Sequence, residues 1–401
     1  MMARRFSVCP KFAQRLVRGL CLFATAALLL SVPSYAARRK PAPPQMIAYV
    51  FPQNHVLQPG EIDARKLTRI NYAFANLKDG RMVEGFPTDA ANFAALNALK
   101  KENPSLTVLV SVGGWLWSGN FSDAVQTDES RKVFIDSVVD FLERYDLDGL
   151  DIDWEYPGQV GAGNRFRPED KQNYTLVLKE LRERFNREQK KLHRRLYLSV
   201  AAGSQTSFLD HTEMRAVARY VGTVNLMCYD YYEPDDSAIT GMNAPLFTDS
   251  ADPKRVSADR SVREYEQAGV PAGKIVLGVP FYGHEWGEVP AQNHGLYQPG
   301  KPVPGAFASY GNITATMLSA AGADKGYVRY WNAAAQVPYL YSAGTRVFVS
   351  YDDPESMALK ARYALRHHLA GVMFWTYESD PSGALLDAID GVLFHPEAAT
   401  R

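Results

Sequence analysis

Eight short apolar runs rich in β-branched and aromatic residues recur along the chain, and most are followed by a longer polar stretch with a helical pattern. Strands that alternate with helices in this way are typical of a parallel sheet with crossover helices. We therefore predict an α/β fold, a (β/α)8 barrel, although the chain length also allows two compact domains. The eight runs are Met46–Phe51, Ile70–Leu77, Thr107–Val112, Gly149–Trp154, Leu196–Ala202, Val224–Tyr229, Ile275–Phe281 and Gly371–Thr376.

The regular spacing breaks once, between the seventh and eighth runs, where about ninety residues intervene. This segment is rich in Gly, Pro, Tyr and Trp, and it contains strand-like pieces near Tyr327–Trp331, Pro338–Tyr341 and Arg346–Tyr351. A structureless loop of this length is uncommon inside a compact domain. We therefore predict a small α+β insertion at 284–349, inside a barrel domain that spans 46–395.

The N-terminal 36 residues have the pattern of a secretory signal peptide. Basic residues precede an apolar run from Gly19 to Val32, and small residues occupy the −3 and −1 positions of a cleavage site after Ala36. The run is shorter than the ~20 residues of a transmembrane helix, which favours cleavage over a membrane anchor. With a linker at 37–45, the pattern predicts a secreted or periplasmic protein that does not contact the membrane after cleavage. Cys228 is then the one cysteine of the mature chain, so no intramolecular disulfide is expected.

Charge and motif content exclude several classes of partner. Lys and Arg together number 44, as do Asp and Glu, so the net charge does not favour nucleic acid. The histidines have no spacing typical of a metal site, and no Gly-rich segment resembles a phosphate loop. We therefore expect neither a metal nor a cofactor.

The stretch DGLDIDWEYP, from Asp148 to Pro157, concentrates four acidic residues in a segment that otherwise resembles a buried strand. Side chains alternate along a strand, so Asp151, Asp153 and Glu155 share one face. In a barrel these carboxylates would point into the lumen and approach the C-terminal rim, where barrel enzymes have their active sites. Asp148 has the opposite parity and lies at the strand entrance, so we predict a structural role for it.

Three carboxylates on one strand face repel one another. Same-face neighbours are ~6.6 Å apart, and unit charges at that distance repel by roughly 2–3 kcal/mol at an effective dielectric near 20. This corresponds to about two pKa units, enough to keep one carboxyl group protonated near neutral pH. A protonated carboxyl group at the rim of a cleft could act as a general acid, whereas the alternative is an acidic, solvated turn.

The same stretch resembles the signature of glycoside hydrolase family 18, the chitinases. Further motifs similar to those of the family follow in the expected order, at Ser111–Trp115, Met227–Asp230, Gly278–Gly283 and Gly371–Trp375. The resemblance covers residues 46 to 387. It implies a TIM barrel of the bacterial subgroup that carries an α+β insertion after the seventh strand.

The resemblance also implies a mechanism, namely retaining hydrolysis assisted by the 2-acetamido group of the substrate. Glu155 would be the general acid, Asp153 would orient the acetamido N–H, Tyr229 would bind the acetamido carbonyl oxygen, and Asp151 would share a proton with Asp153. The implied substrate is chitin or an N-acetylglucosamine oligosaccharide, and we expect a monomer. By the same resemblance, the substrate-binding residues are Tyr49, Phe74, Gly114, Trp115, Tyr156, Met227, Asp230, Tyr282 and Trp375.

Two departures from the family pattern bear on substrate preference. His284 stands where many relatives carry Arg, and Tyr231–Pro234 replaces a segment that often leads to a Trp on the leaving side. Trp117, Trp286 and Trp331 are further candidates for sugar stacking. The alternatives are a chitin-binding lectin without turnover, and a relative that acts on peptidoglycan or on the core of N-linked glycans.

Overall fold

The computed structural model describes residues 43–304 and 308–395, so the predicted signal peptide lies outside the described residues. The strands are β1 (Gln45–Val50), β2 (Arg69–Lys78), β3 (Arg81–Val83), β4 (Thr107–Gly113), β5 (Gly149–Asp153), β6 (Tyr197–Gly203), β7 (Thr223–Met227), β8 (Ile275–Pro280), β9 (Tyr282–Gly287), β10 (Lys301–Pro302), β11 (Ala308–Ser309), β12 (Tyr327–Asn332), β13 (Val337–Ser342), β14 (Val347–Ser350) and β15 (Gly371–Trp375). The helices are α1 (Asp89–Ala98), α2 (Phe121–Ala124), α3 (Asp128–Arg144), α4 (Asp170–Leu192), α5 (Thr206–Asp210), α6 (Met214–Tyr220), α7 (Ala258–Gln267), α8 (Tyr310–Thr316), α9 (Ala320–Asp324), α10 (Pro354–Arg366) and α11 (Ala384–Leu393).

Eight of these strands close into a parallel barrel. In ring order they are β1, β2, β4, β5, β6, β7, β8 and β15, and β15 pairs with β1 to complete the ring. Because all eight run in the same direction, their carboxyl ends meet at one rim. The predicted (β/α)8 barrel is confirmed, and each predicted barrel strand begins and ends within two residues of the observed strand.

A second, antiparallel sheet lies in sequence between β8 and β15. Its order is β10-β9-β14-β13-β12, and β11 pairs separately with β9. Together with the short helices α8 and α9, it forms the small α+β insertion that the long gap predicts. The three strand-like pieces of the sequence correspond to β12, β13 and β14. We did not predict β9, because a single residue, Phe281, separates it from β8 and its sequence mixes polar and aromatic side chains.

The outer face of β5 illustrates how the barrel packs against its helices. Leu150, Ile152 and Trp154 are almost completely buried in the main hydrophobic core. The indole of Trp154 stacks on Phe121, with the ring centroids 5.2 Å apart, and meets Tyr174 edge-on at 5.8 Å. Burial of each such side chain contributes about 1.5–3 kcal/mol. The other face of β5, which carries the carboxylates, therefore points into the lumen.

A smaller cluster fills the lumen near the C-terminal rim. It includes Ile47, Tyr49, Tyr229, Tyr282 and Met373, which come from β1, β9, β15 and the end of β7. The side chain next to Tyr229, that of Cys228, belongs instead to the outer core and is buried there as a free thiol. Alternation along the strand thus separates lumen residues from core residues, as the sequence predicts.

Capping residues fix where two of the outer helices begin. The Thr127 hydroxyl accepts a hydrogen bond from the Ser130 amide at the start of α3, and Asp353 does the same for Ser356 at the start of α10. Each cap contributes about 0.5–2 kcal/mol. Within the described ranges, no helix combines the length and apolarity that a membrane crossing requires.

Candidate active site

A groove with a volume of about 930 Å³ opens over the carboxyl ends of the barrel strands. This is the size range of small-molecule binding sites, about 300–1,000 Å³. The structure brings together in this groove twelve of the thirteen residues that we predicted for catalysis or binding. They are Tyr49, Phe74, Gly114, Trp115, Asp153, Glu155, Tyr156, Met227, Tyr229, Asp230, Tyr282 and Trp375.

Asp151, the thirteenth residue, lies beneath the groove and is completely buried. Its carboxylate accepts hydrogen bonds from the hydroxyls of Tyr49 (2.8 Å), Ser111 (2.9 Å) and Ser199 (2.5 Å). The side-chain amide of Asn225 donates a fourth, at 3.2 Å. Burial raises the pKa of Asp151, and the three hydroxyls act in the opposite direction. Asp151 is therefore held in one orientation below the groove.

Asp153 stands one step higher on the same strand face and is only 3% exposed. Its Oδ1 atom has no hydrogen-bond partner in the described structure. Burial raises the pKa of Asp153 well above its ordinary value, and the charges of Glu155 and Asp151 raise it further. A buried polar atom without a partner costs free energy, so the arrangement favours a ligand that donates a hydrogen bond at this point.

Glu155 follows β5 and lines the groove above Asp153. Burial raises its pKa to about 8, and the neighbouring charges of Asp230 and Glu233 contribute after it. The carboxyl group is therefore mostly protonated at neutral pH. The sequence predicts a retained proton from repulsion within the strand face. In the structure burial is the larger cause, and the charges that act on Glu155 come from beyond β7.

Asp230 and Glu233 line the groove, and His284 lies next to them; these three residues are here called the Asp230 cluster. The Asp230 carboxylate accepts a hydrogen bond from the Tyr282 hydroxyl at 2.6 Å and contacts Nε2 of His284 at 2.8 Å. One ligand atom from each cluster residue lies within 4.8 Å of the others, close enough to hold a metal ion. The sequence analysis did not identify this cluster, because its members come from two segments that are far apart in the sequence.

Aromatic rings form the other end of the groove. Trp375 stacks on Phe74, with centroids 5.4 Å apart, and contacts Phe51 at 5.5 Å. Further along, Phe86 contacts Trp117 at 5.2 Å. Phe51 and Phe86 were missed by the sequence analysis, although Phe51 ends the first apolar run and could have been found by its position at a strand end.

The rim carries an exposed platform. Trp115 is 54% exposed and meets Tyr156 edge-on at 5.3 Å, and the Tyr156 hydroxyl donates a hydrogen bond to the Trp115 carbonyl oxygen. Gly114 beside it has a φ of +78°, and a Cβ atom there would lie 2.7 Å from the Phe74 ring. Glycine therefore allows the rim backbone to pass over that ring.

Two of the proposed stacking residues lie elsewhere. Trp286 is completely buried in the second sheet, where it packs against Phe348, so the prediction that it stacks on sugar is wrong. Trp331 lies on β12 beneath the guanidinium of Arg329 and does not line the groove. Trp117, the third candidate, does line it. Trp286 and Trp331 both belong to the second sheet, and a local sequence pattern does not reveal where that sheet lies relative to the groove.

Asp148 lies at the opposite end of β5, away from the groove. Its carboxylate accepts a hydrogen bond from the Val108 amide at 2.8 Å and forms ion pairs with Lys100 at 2.7 Å and Arg194 at 3.5 Å. These contacts tie the entrance of β5 to the neighbouring strand β4.

The model of the family described as "Glycosyl hydrolases family 18" matches residues 45–380. Chitinase A1 from Niallia circulans is 36% identical over 386 residues, which cover 81% of this chain and 54% of that protein. Chitinase ChiW from Paenibacillus sp. str. FPU-7 superposes with a TM-score of 0.82 at 37% identity, covering 88% of this chain and 43% of that chain. A family 18 N-acetylglucosaminidase from Paenibacillus barengoltzii gives a TM-score of 0.79 at 39% identity, covering 86% of this chain and 99% of that chain. The chain thus spans about half the length of the first two proteins.

Proposed function

Because the chain belongs to glycosyl hydrolase family 18, we propose that it hydrolyses the β-1,4 linkages between N-acetylglucosamine units in chitin and chitin oligosaccharides. The pairing of Glu155 with Asp153 is the observation that carries this proposal. Glu155 has a pKa of about 8 and so holds a proton, while Asp153 has a buried, unpartnered oxygen in the same groove. One group can protonate a leaving oxygen, and the other can accept the N–H of an acetamido group.

The first step breaks the glycosidic bond. The reacting sugar lies over Trp375, Asp153 accepts a hydrogen bond from its acetamido N–H, and the Tyr229 hydroxyl donates one to the acetamido carbonyl oxygen. That carbonyl oxygen attacks C1 while the bond from C1 to the leaving oxygen breaks, and Glu155 transfers its proton to the leaving oxygen. The products are a bicyclic oxazolinium ion and a free sugar hydroxyl. No second carboxylate needs to attack the sugar.

The second step opens the oxazolinium ion. Glu155, now ionised, takes a proton from a water molecule, and the water oxygen attacks C1 from the side that the leaving sugar has vacated. Two successive inversions give net retention of configuration. Asp151, held by its hydrogen bonds, shares a proton with Asp153 and so stabilises the positive charge of the intermediate.

The alternatives differ in substrate or in turnover. A lectin without turnover does not require a protonated carboxyl group at the position of Glu155, so that group favours an enzyme. The names of the relatives, chitinase A1 and an N-acetylglucosaminidase, both favour a substrate that contains N-acetylglucosamine. Product analysis on chitin oligosaccharides, beside peptidoglycan and a high-mannose glycopeptide, tests the substrate class directly. Release of sugars from either comparison substrate, and not from chitin oligosaccharides, would contradict the proposal.

The decisive variant is Glu155→Gln, which keeps the shape of the side chain and removes its proton. We expect it to lower turnover of chitin oligosaccharides by about 10²- to 10⁴-fold while binding persists. Glu266→Gln, at an exposed position of α7 outside the groove, is the matched control. A cello-oligosaccharide of equal length, which lacks the acetamido group, should not be cleaved by the unaltered protein. Undiminished turnover by Glu155→Gln would remove this residue from its role.

Export and a monomeric state complete the proposal. The signal-like sequence at 1–36 supports secretion or a periplasmic location, and secretion would give access to a polymer that is too large to enter cells. N-terminal sequencing of protein recovered outside the cytoplasm, with light scattering, tests both statements. A retained N-terminus or a stable dimer would contradict them.

A further inference from the structure

The charged groups that line the groove are of one sign. Among the described residues its lining includes six carboxyl groups and no lysine or arginine. Two of these, on Asp153 and Glu155, belong to the proposed catalytic machinery. The other four follow β7 within one short segment, here called the acidic segment. They are Asp230, Glu233, Asp235 and Asp236.

The acidic segment lies opposite the aromatic end of the groove. Phe51, Phe74 and Trp375 come from β1, β2 and β15 or the residue after them, which are neighbours in the barrel ring, while Phe86 and Trp117 follow β3 and β4. The acidic segment follows β7, which is four strands from β2 in either direction around the eight-stranded ring and two strands from β15, the strand of Trp375. A sugar placed over Trp375 therefore continues, beyond the bond that Glu155 protonates, towards the acidic segment. This order of residues along the groove assigns the acidic segment to the leaving sugar.

Electrostatic effects on Glu155 support a position of the acidic segment close to the reacting bond. After burial, the two causes that raise the pKa of Glu155 most are the charges of Asp230 and Glu233. In turn, the pKa of Glu233 is raised to about 7 by burial and by Asp230. Asp230 and Glu233 therefore lie close enough to Glu155, in the same groove, for their charges to act on it.

The charges of His284 and Lys254 act on Glu233, but direct ion pairs within the segment are few. Glu233, Asp235 and Asp236 form no ion pair with another described residue, and Asp230 is paired with His284. The ammonium group of Lys254 is nearby, but it donates to the Tyr231 carbonyl oxygen at 3.0 Å and lies 4.1 Å from the centre of the Tyr232 ring. Independently of these charges, the buried unpartnered oxygen of Asp153 marks the same groove as a ligand site.

We propose that the leaving-sugar side of the groove binds 2-amino-2-deoxyglucose with its amine protonated, so that partly deacetylated chitin is cleaved preferentially between an acetylated and a deacetylated unit. The inference rests on the proposed function and extends it to the second sugar. The acetamido oxygen that attacks C1 belongs to the sugar before the bond, so the leaving sugar can lack its acetyl group. An ammonium group in that position compensates the carboxylates, whereas a neutral acetamide does not.

Digestion of partly deacetylated chitin tests the proposal, because the two new chain ends report on the two sides of the bond. The new reducing ends should all be acetylated, as the acetamido mechanism requires. The new non-reducing ends should be enriched in the deacetylated sugar by about two- to fivefold over the polymer, the range for a partly exposed ion pair. Added salt should reduce this enrichment.

Variants connect the enrichment to the acidic segment. The double variant Asp235→Asn/Asp236→Asn changes two exposed carboxylates and should lower the enrichment, and Glu233→Gln should lower it further. Glu266→Gln, which removes one carboxylate outside the groove, should leave it unchanged. Non-reducing ends that match the polymer composition, or an enrichment that survives all three groove substitutions, would overturn the inference and leave the proposed function standing. Deacetylated reducing ends, or no products, would overturn the proposed function and the inference with it.

Discussion

Asp230→Asn is expected to move the alkaline limit of activity to lower pH. In the proposed mechanism Glu155 is the general acid and must be protonated to act, so activity should fall as the pH rises through the pKa of Glu155. In the unaltered protein that pKa is about 8, against an ordinary value of 4.5. The charge of Asp230 is the largest cause of this increase after burial, and the substitution removes the charge while keeping an oxygen that can accept from Tyr282.

The size of the effect follows from the charge that is lost. Two carboxylates about 7 Å apart repel by about 2 kcal/mol at an effective dielectric of about 20. One pKa unit corresponds to about 1.4 kcal/mol, and salt screens part of the repulsion. We therefore expect the alkaline limit to fall by about one pH unit, to about 7. Burial still acts on Glu155 in the variant, so its pKa should remain above the ordinary value.

The assay is the pH dependence of kcat/KM, which reports the protonation states of the free enzyme. A soluble chitin oligosaccharide keeps substrate diffusion constant across the series, and Glu266→Gln controls for the loss of one negative charge. An alkaline limit that stays at the same pH in Asp230→Asn would refute the reasoning, because burial and the charge of Glu233 would then account for the protonated state of Glu155 without Asp230.

Two further predictions concern the sugar platform and the buried ion pair. Trp375→Ala should raise KM by about thirtyfold or more, because aromatic anchors of this kind contribute about 2 kcal/mol. Trp331→Ala, outside the groove, is the control and should leave KM unchanged. Equal effects of the two substitutions would contradict the placement of the sugar over Trp375. The ammonium group of Lys360 lies 2.6 Å from the carboxylate of Asp352, whose side chain is 1% exposed. Lys360→Met should lower the free energy of unfolding by about 3–5 kcal/mol, because it leaves Asp352 as a buried charge without its ion-pair partner. Urea denaturation checks this, with Lys360→Met/Asp352→Leu as the control that should recover stability, and a loss below about 1 kcal/mol in the single variant would contradict it.

The barrel could be predicted because its information is local. Each strand carries a short apolar run, and alternation within β5 separates the carboxylates of the lumen from Leu150, Ile152 and Trp154 in the outer core. Strand ends fall at one rim in a parallel barrel, so residues just after the strands could be assigned to one groove. The family resemblance assigned Tyr49, Trp115 and Trp375 to one substrate site, and their positions at or near strand ends agree with that assignment.

Burial and long-range contacts could not be predicted in the same way. His284 and Asp230 are 54 positions apart, and they meet because β9 returns to the rim beside the segment after β7. The pKa of Glu155 depends on that segment and on exclusion of water, neither of which the DGLDIDWEYP stretch contains. The assignment of Trp286 to sugar stacking was wrong for the same reason, because this residue is buried in a sheet that forms from distant strands.

The near-continuity of β8 and β9 has a mechanical consequence. Phe281, the one residue between the two strands, donates its amide hydrogen to the carbonyl oxygen of Trp375 at 2.8 Å. The strand that carries Tyr282 and His284 is thereby joined to the last strand of the barrel at Trp375. A connection of one residue leaves little freedom between the two strands, so the second sheet forms a rigid continuation of the barrel wall at this point.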